Sequence, residues 1–188
     1  MLLERLKEET RSQHHYLESL IGLPLSSEQH EWNLRGFYGF VAPWELQILS
    51  SSYASYLMAR IKTMALMDDL QSLGLTMTDI RQLPQCSDLP SLGSISEILG
   101  SMYVMEGSTL GGQMISRHLE TTLGFRDGNG YTYYRSYGPD IGLRWKAFRE
   151  TLLRHSSPEN DDAMVTSARL TFERLGQWFE HQRATAVA

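Results

Sequence analysis

Apolar side chains recur at helical spacing along almost the whole chain, which leaves little room for strands. Residues 2–21 place Leu3, Leu6, Leu17, Leu20 and Ile21 on roughly one side of a 3.6-residue helix that Gly22 and Pro24 end. Ser26 followed by Gln29 is a capping-box pattern that opens a second helix through Trp32, Phe37 and Phe40. Pro43 either kinks that helix or starts a new one at Trp44, with helical pattern continuing to about Lys62. A shorter helix from Thr63 to Leu73 stops at Gly74, Pro84 to Gly93 reads as a loop, and Ser94 to Leu123 is a long helical pattern interrupted by glycine. Residues 124–142, rich in glycine and tyrosine, read as a loop or a pair of short extended pieces. Helix resumes at Leu143–Arg154, and Ser157-Pro158-Glu159 supplies the N-cap, first position and first-turn acid of a last helix carrying Met164, Ala168, Phe172, Leu175 and Phe179. The expected architecture is all-α, a bundle of about seven or eight helices forming one domain over residues 1–188.

Composition removes several classes of function. A net charge of −5 without any run of Lys or Arg argues against a protein that works on nucleic acid phosphates or on an anionic membrane. The single cysteine, Cys86, allows no intramolecular disulfide, no thiolate metal cluster and no C-x-x-C-H haem attachment, and suggests a reducing, cytoplasmic setting. The charged N-terminus and the lack of an 18-residue apolar run predict neither signal peptide nor membrane anchor.

Fifteen glycines suit a loop-rich protein better than a helical one, so their positions matter. Gly22, Gly74, Gly128 and Gly130 read as stops and loop residues. Gly100, Gly107, Gly111 and Gly112 instead stand in the long helix, four glycines in 13 residues, where each costs about 0.8–1 kcal/mol relative to alanine. Gly100, Gly107 and Gly111 fall within about 40° on a helical wheel and leave a strip without side chains. Close helix packing explains Gly107-x-x-x-Gly111, whereas the consecutive Gly111-Gly112 pair also invites a kink. A flat ligand against the strip is the alternative, with Ser108 and Thr109 supplying hydroxyls beside it.

His14 and His15 sit side by side in the first helix and, at 100° per residue, are not expected to do the same job. With His14 as origin, Leu3 and Ile21 lie at about −20°, Thr10 at about −40° and Leu17 at about −60°, so His14 borders the apolar stripe. His15 falls among Glu4, Arg11, Glu18 and Gly22, the solvated sector. His14 is therefore the candidate ligand for a metal or haem iron, its alternative being an ordinary hydrogen-bonded histidine at the core edge. His30, His155 and His181 stand in polar contexts, and His118 lies ~16 Å along the helix from the Gly107 end of the strip.

The stretch Thr10-Arg11-Ser12-Gln13-His14-His15-Tyr16-Leu17-Glu18, together with Glu106-Gly107-Ser108-Thr109-Leu110-Gly111-Gly112, resembles the haem oxygenase family, most closely its bacterial biliverdin-producing branch. Looser likeness extends through Tyr38–Glu45 and Asp69–Gly74. The resemblance implies a haem oxygenase-like bundle with a kinked, glycine-rich distal helix, His14 as proximal ligand of haem iron, and Gly107, Gly111 and Gly112 over the other haem face. It further implies haem as both substrate and cofactor, O2 as co-substrate, and biliverdin, CO and ferrous iron as products. Mammalian-type members carry an Asp after the first distal glycine. Here Ser108 stands in its place, so water held by Ser108 and backbone groups would deliver protons beside Gly107 and Gly111. Lys7, Arg11, Tyr103, Lys146 and Arg149 are the candidates for contact with the haem and its propionates.

No glycine-rich dinucleotide motif follows a strand, so electrons are expected from an external donor, a ferredoxin or a reductase, with a biliverdin acceptor as a further possible partner. Two other readings are a non-enzymatic haem carrier or sensor using His14, and a haem-free helical bundle in which the glycine strip serves packing alone.

Overall fold

The computed structural model describes residues 1–126 and 129–186, all-helical among them and with a kinked helix, as expected. In chain order the helices are α1 (Leu2–Glu9), α2 (Arg11–Ile21), α3 (Ser27–Leu49), α4 (Ala54–Leu57), α5 (Thr63–Ser72), α6 (Met77–Arg81), α7 (Ile95–Thr122), α8 (Thr132–Arg135), α9 (Ile141–Arg154) and α10 (Pro158–Ala186). No described helix is long and apolar enough to cross a membrane.

The chain forms two compact units: one from Met1–Leu20, Asp88–Ser108 and the chain from Pro139 onward, the other from Ile21–Ser87 and Thr109–Gly138. In the first unit α1 and α2 lie on α10. Arg5 pairs with Asp162 at 2.8 Å, Gln13 donates to Glu173 at 3.3 Å, Tyr16 donates to Glu180, and the Arg183 guanidinium donates to the Leu20 carbonyl at 2.6 Å. The α7 segment of this unit packs on α10 so closely that a Cβ at Gly100 would stand 2.1 Å from the Met164 carbonyl oxygen. Ser94 and Glu97 form the reciprocal cap that starts α7, and Ser157 accepts from the Asn160 amide at the start of α10.

In the second unit α3 runs through Pro43 without restarting. Proline has no N–H for the carbonyl four residues back, and that carbonyl, on Gly39, instead accepts the Cys86 amide at 2.8 Å. Buried Glu45 accepts the amides of Lys62 and Thr63 at 2.6 and 3.2 Å and so opens α5. Buried Asp69 does the same for α8, accepting from the Thr132 and Tyr133 amides at 2.7 and 2.8 Å.

Four local expectations need correction, the first being residues 124–142, where α8 and a 3-10 turn over Gly138–Asp140 stand in place of the expected loop or extended pieces. The single first helix is two, parted at Thr10, whose buried hydroxyl donates to the Leu6 carbonyl at 2.6 Å. The pattern continuing to Lys62 breaks at Ser50 and resumes as short α4 and a 3-10 turn. Between Gly74 and Pro84 a further helix, α6, is held by a reciprocal cap of Thr76 and Asp79. Gly22, Gly74 and Gly130 take positive φ of 60°, 103° and 78°, as stop and loop residues do, while Gly128 lies outside the described residues.

Candidate functional site

Leu17 and Ile21 of α2 are buried, as is Thr10 just before it, and His14 stands at the edge of that stripe with its side chain 51% exposed. Its ring meets the ring of buried Phe172, on α10, edge-on at 5.6 Å and 88°. Nδ1 lies 3.5 Å from Glu18 Oε2, one helical turn on. Glu18, placed by its wheel position with His15 in the solvated sector, therefore belongs to the surroundings of His14. His15 is exposed as well, its ring 6.1 Å from that of His14. What separates the two imidazoles is the aromatic wall behind one of them.

A second cluster of the first unit gathers around Trp145 of α9. Tyr103 lies 5.7 Å from the Trp145 ring, Phe148 stacks on that ring at 6.0 Å, and a Cβ at Gly107 would meet Trp145 at an ordinary 3.8 Å. Burial pushes the Tyr103 phenol up from its usual pKa, with the charge of Arg149 acting the other way. Tyr103 and Gly107 thus share Trp145 as a neighbour, with Arg149 close enough for its charge to act on Tyr103. Ser108 donates its hydroxyl to the Met105 carbonyl at 2.8 Å, which leaves its oxygen as an acceptor.

In the second unit the consecutive glycines divide sharply. Gly111 is exposed with nothing within 4 Å of an added Cβ, whereas a Cβ at buried Gly112 would stand 2.4 Å from the Tyr134 carbonyl oxygen. Gly112 therefore has a steric reason to be glycine that needs no ligand, and the same holds for Gly100. Gly107 and Gly111 carry no comparable steric demand.

The remaining cationic candidates, Lys7, Arg11 and Lys146, are all exposed, and Arg11 pairs with Glu8 at 2.5 Å. Of the other histidines, His30 departs from its polar sequence context: it is fully buried, its Nε2 bonded to the Gly130 carbonyl, and burial lowers its pKa. His118 Nε2 bonds the Pro24 carbonyl at 2.8 Å and His155 Nδ1 the Thr151 carbonyl at 3.0 Å, both structural roles. Sequence reading missed Phe172 and Trp145 as walls and Glu18 as a partner of His14. Only the last had a signal, the four-residue spacing on one helix.

No protein of curated function matches the chain by sequence. Among solved structures it is similar to a heme oxygenase from Leptospira interrogans, with a TM-score of 0.74 and 18% identity over 96% of this chain and 98% of that one. That likeness establishes the fold. The family model described as Heme oxygenase matches residues 1–181, and on that match the chain belongs to the haem oxygenase family.

Proposed function

We propose that the protein is a haem-degrading oxygenase in which His14 would hold the haem iron. The observation that carries the reading is the setting of His14: an imidazole open on one side and walled by Phe172, with Glu18 3.5 Å from its Nδ1. The residues fit the group. Gly107 and Gly111 supply side-chain-free positions on α7, Tyr103 a half-buried phenol, and Lys7, Arg11, Lys146 and Arg149 exposed charges suited to carboxylates.

Bound haem supplies both the macrocycle to be opened and the iron at which O2 is reduced, the products being biliverdin, CO and ferrous iron. An imidazole from His14 would donate less electron density to the iron than a thiolate would. The work left to the protein is steric and protic. Gly107 and Gly111 keep the helix face clear of side chains. Ser108, with its proton committed to Met105, holds water by accepting from it. Electrons come from an external donor, a ferredoxin or reductase, since the chain carries no dinucleotide-binding motif. A biliverdin acceptor is a further expected partner, and the cytoplasm the expected compartment.

Haem titration followed by absorption spectroscopy tests the ligand assignment. Wild type and His15→Ala should bind one haem with the same Soret band. His14→Ala should lose the imidazole-ligated spectrum and most turnover, and the reverse pattern would assign the iron to His15. Gly111→Leu should block access while the far-UV spectrum stays helical. Undiminished binding and turnover in that variant would reduce Gly111 to a structural position.

A further inference from the structure

His14 and His15 form, with Glu18, the one group of metal-ligating side chains found together among the described residues: one ligand atom from each, all within 4.8 Å of one another and all exposed. Their roles do not require this closeness, since the haem reading uses His14 alone and leaves His15 without a task. The donor set is two imidazole nitrogens and one carboxylate oxygen. That combination suits borderline transition metals such as Zn2+, Ni2+ and Co2+, and disfavours the all-oxygen cations Mg2+ and Ca2+.

We propose that the haem-free protein binds one divalent transition-metal ion at His14, His15 and Glu18, with water completing the coordination. Ligands at about 2.0–2.2 Å from a zinc ion stand roughly 3–4 Å from each other. The His14 Nδ1 to Glu18 Oε2 separation, 3.5 Å, already meets that spacing. Closing the remainder needs only rotamer adjustment of exposed side chains, because all three residues stand on α2, which is formed without the ion. Seating the ion draws His14 and Glu18 into a new arrangement and so antagonises haem uptake; this last consequence rests on the haem reading above.

Zn2+ titration of the haem-free protein by calorimetry, with Co2+ absorption reporting the donor set, tests the site. The expected result is saturable binding at one ion per chain, weakened at least tenfold in His15→Ala and in Glu18→Gln, and unaffected by millimolar Mg2+. All three side chains are exposed, so circular dichroism should show unchanged helix content in each variant. Absence of one-to-one binding, or binding equally tight in His15→Ala, overturns the proposal. Haem titration with and without Zn2+ separates the two readings: triad-dependent zinc binding in a protein that takes up no haem upholds the metal site and refutes the haem assignment. Zinc that depends on His15 yet leaves haem affinity unchanged refutes the antagonism.

Discussion

Adjacent residues of the same type have unlike surroundings in this protein. Gly111 looks onto open space and Gly112 onto the backbone of Tyr134. Gly111→Ala should therefore stabilise the haem-free protein by up to about 1 kcal/mol through helix propensity alone. Gly112→Ala, forced against a carbonyl, should destabilise it by about 1–3 kcal/mol, as overpacking does. Thermal unfolding of the two variants beside the parent reads the difference directly, and equal shifts would contradict it. The sequence shows that this pair interrupts a helix but not which member faces what, because Tyr134 arrives from a segment 22 residues later. His14 presents the same problem at greater distance. Its place on the edge of the stripe is readable from periodicity, while the ring that walls it, Phe172, comes from the last long helix.

Helix ends depend on single side chains, and one of those ends makes stability depend on pH. Asp69 accepts both leading amides of α8, yet burial outweighs those hydrogen bonds and raises its pKa to about 6. The folded protein therefore holds that proton more tightly than the unfolded chain, whose Asp pKa is ~3.9. The contribution of this group to stability is complete below about pH 4 and is lost as pH rises through about 6, a change of roughly 3 kcal/mol. His30, whose pKa is lowered by burial, acts in the opposite sense as it is protonated, its share of stability being lost as pH falls from its unfolded value. The difference in unfolding free energy between wild type and Asp69→Asn isolates the aspartate. It should shift in favour of the variant from pH 4 to 7, and a difference that stays level would show that Asp69 does not titrate there. Where a cap is local in sequence, as at Ser157-Pro158-Glu159, the element was readable. The Thr76–Asp79 cap has the same local form, yet α6 behind it was not read, because five residues are too few to show a helical period. The breaks at Thr10 and Ser50 were not readable, because the helical pattern runs across both.

For the whole molecule, the all-α fold follows from periodicity, and the family from motifs that occupy two helices. The solved neighbour shares the fold at 18% identity, so the arrangement is alike where most individual residues differ. A ligand that binds only the folded state raises stability by RT ln(1 + [L]/Kd), about 2.7 kcal/mol at a hundredfold excess over Kd. One equivalent of haem should accordingly raise the melting temperature of wild type and of His15→Ala, and raise that of His14→Ala much less. Equal stabilisation of all three would place haem away from His14. A haem carrier would pass these tests as readily as an oxygenase, and only turnover separates them. The decisive measurement is reduction of the purified haem complex in air, by ascorbate or by a ferredoxin and its reductase, with the product identified. The Soret band should disappear as biliverdin forms, with CO and ferrous iron released; a reduced haem that persists unchanged in the presence of O2 would contradict the assignment of this protein as a haem-degrading enzyme.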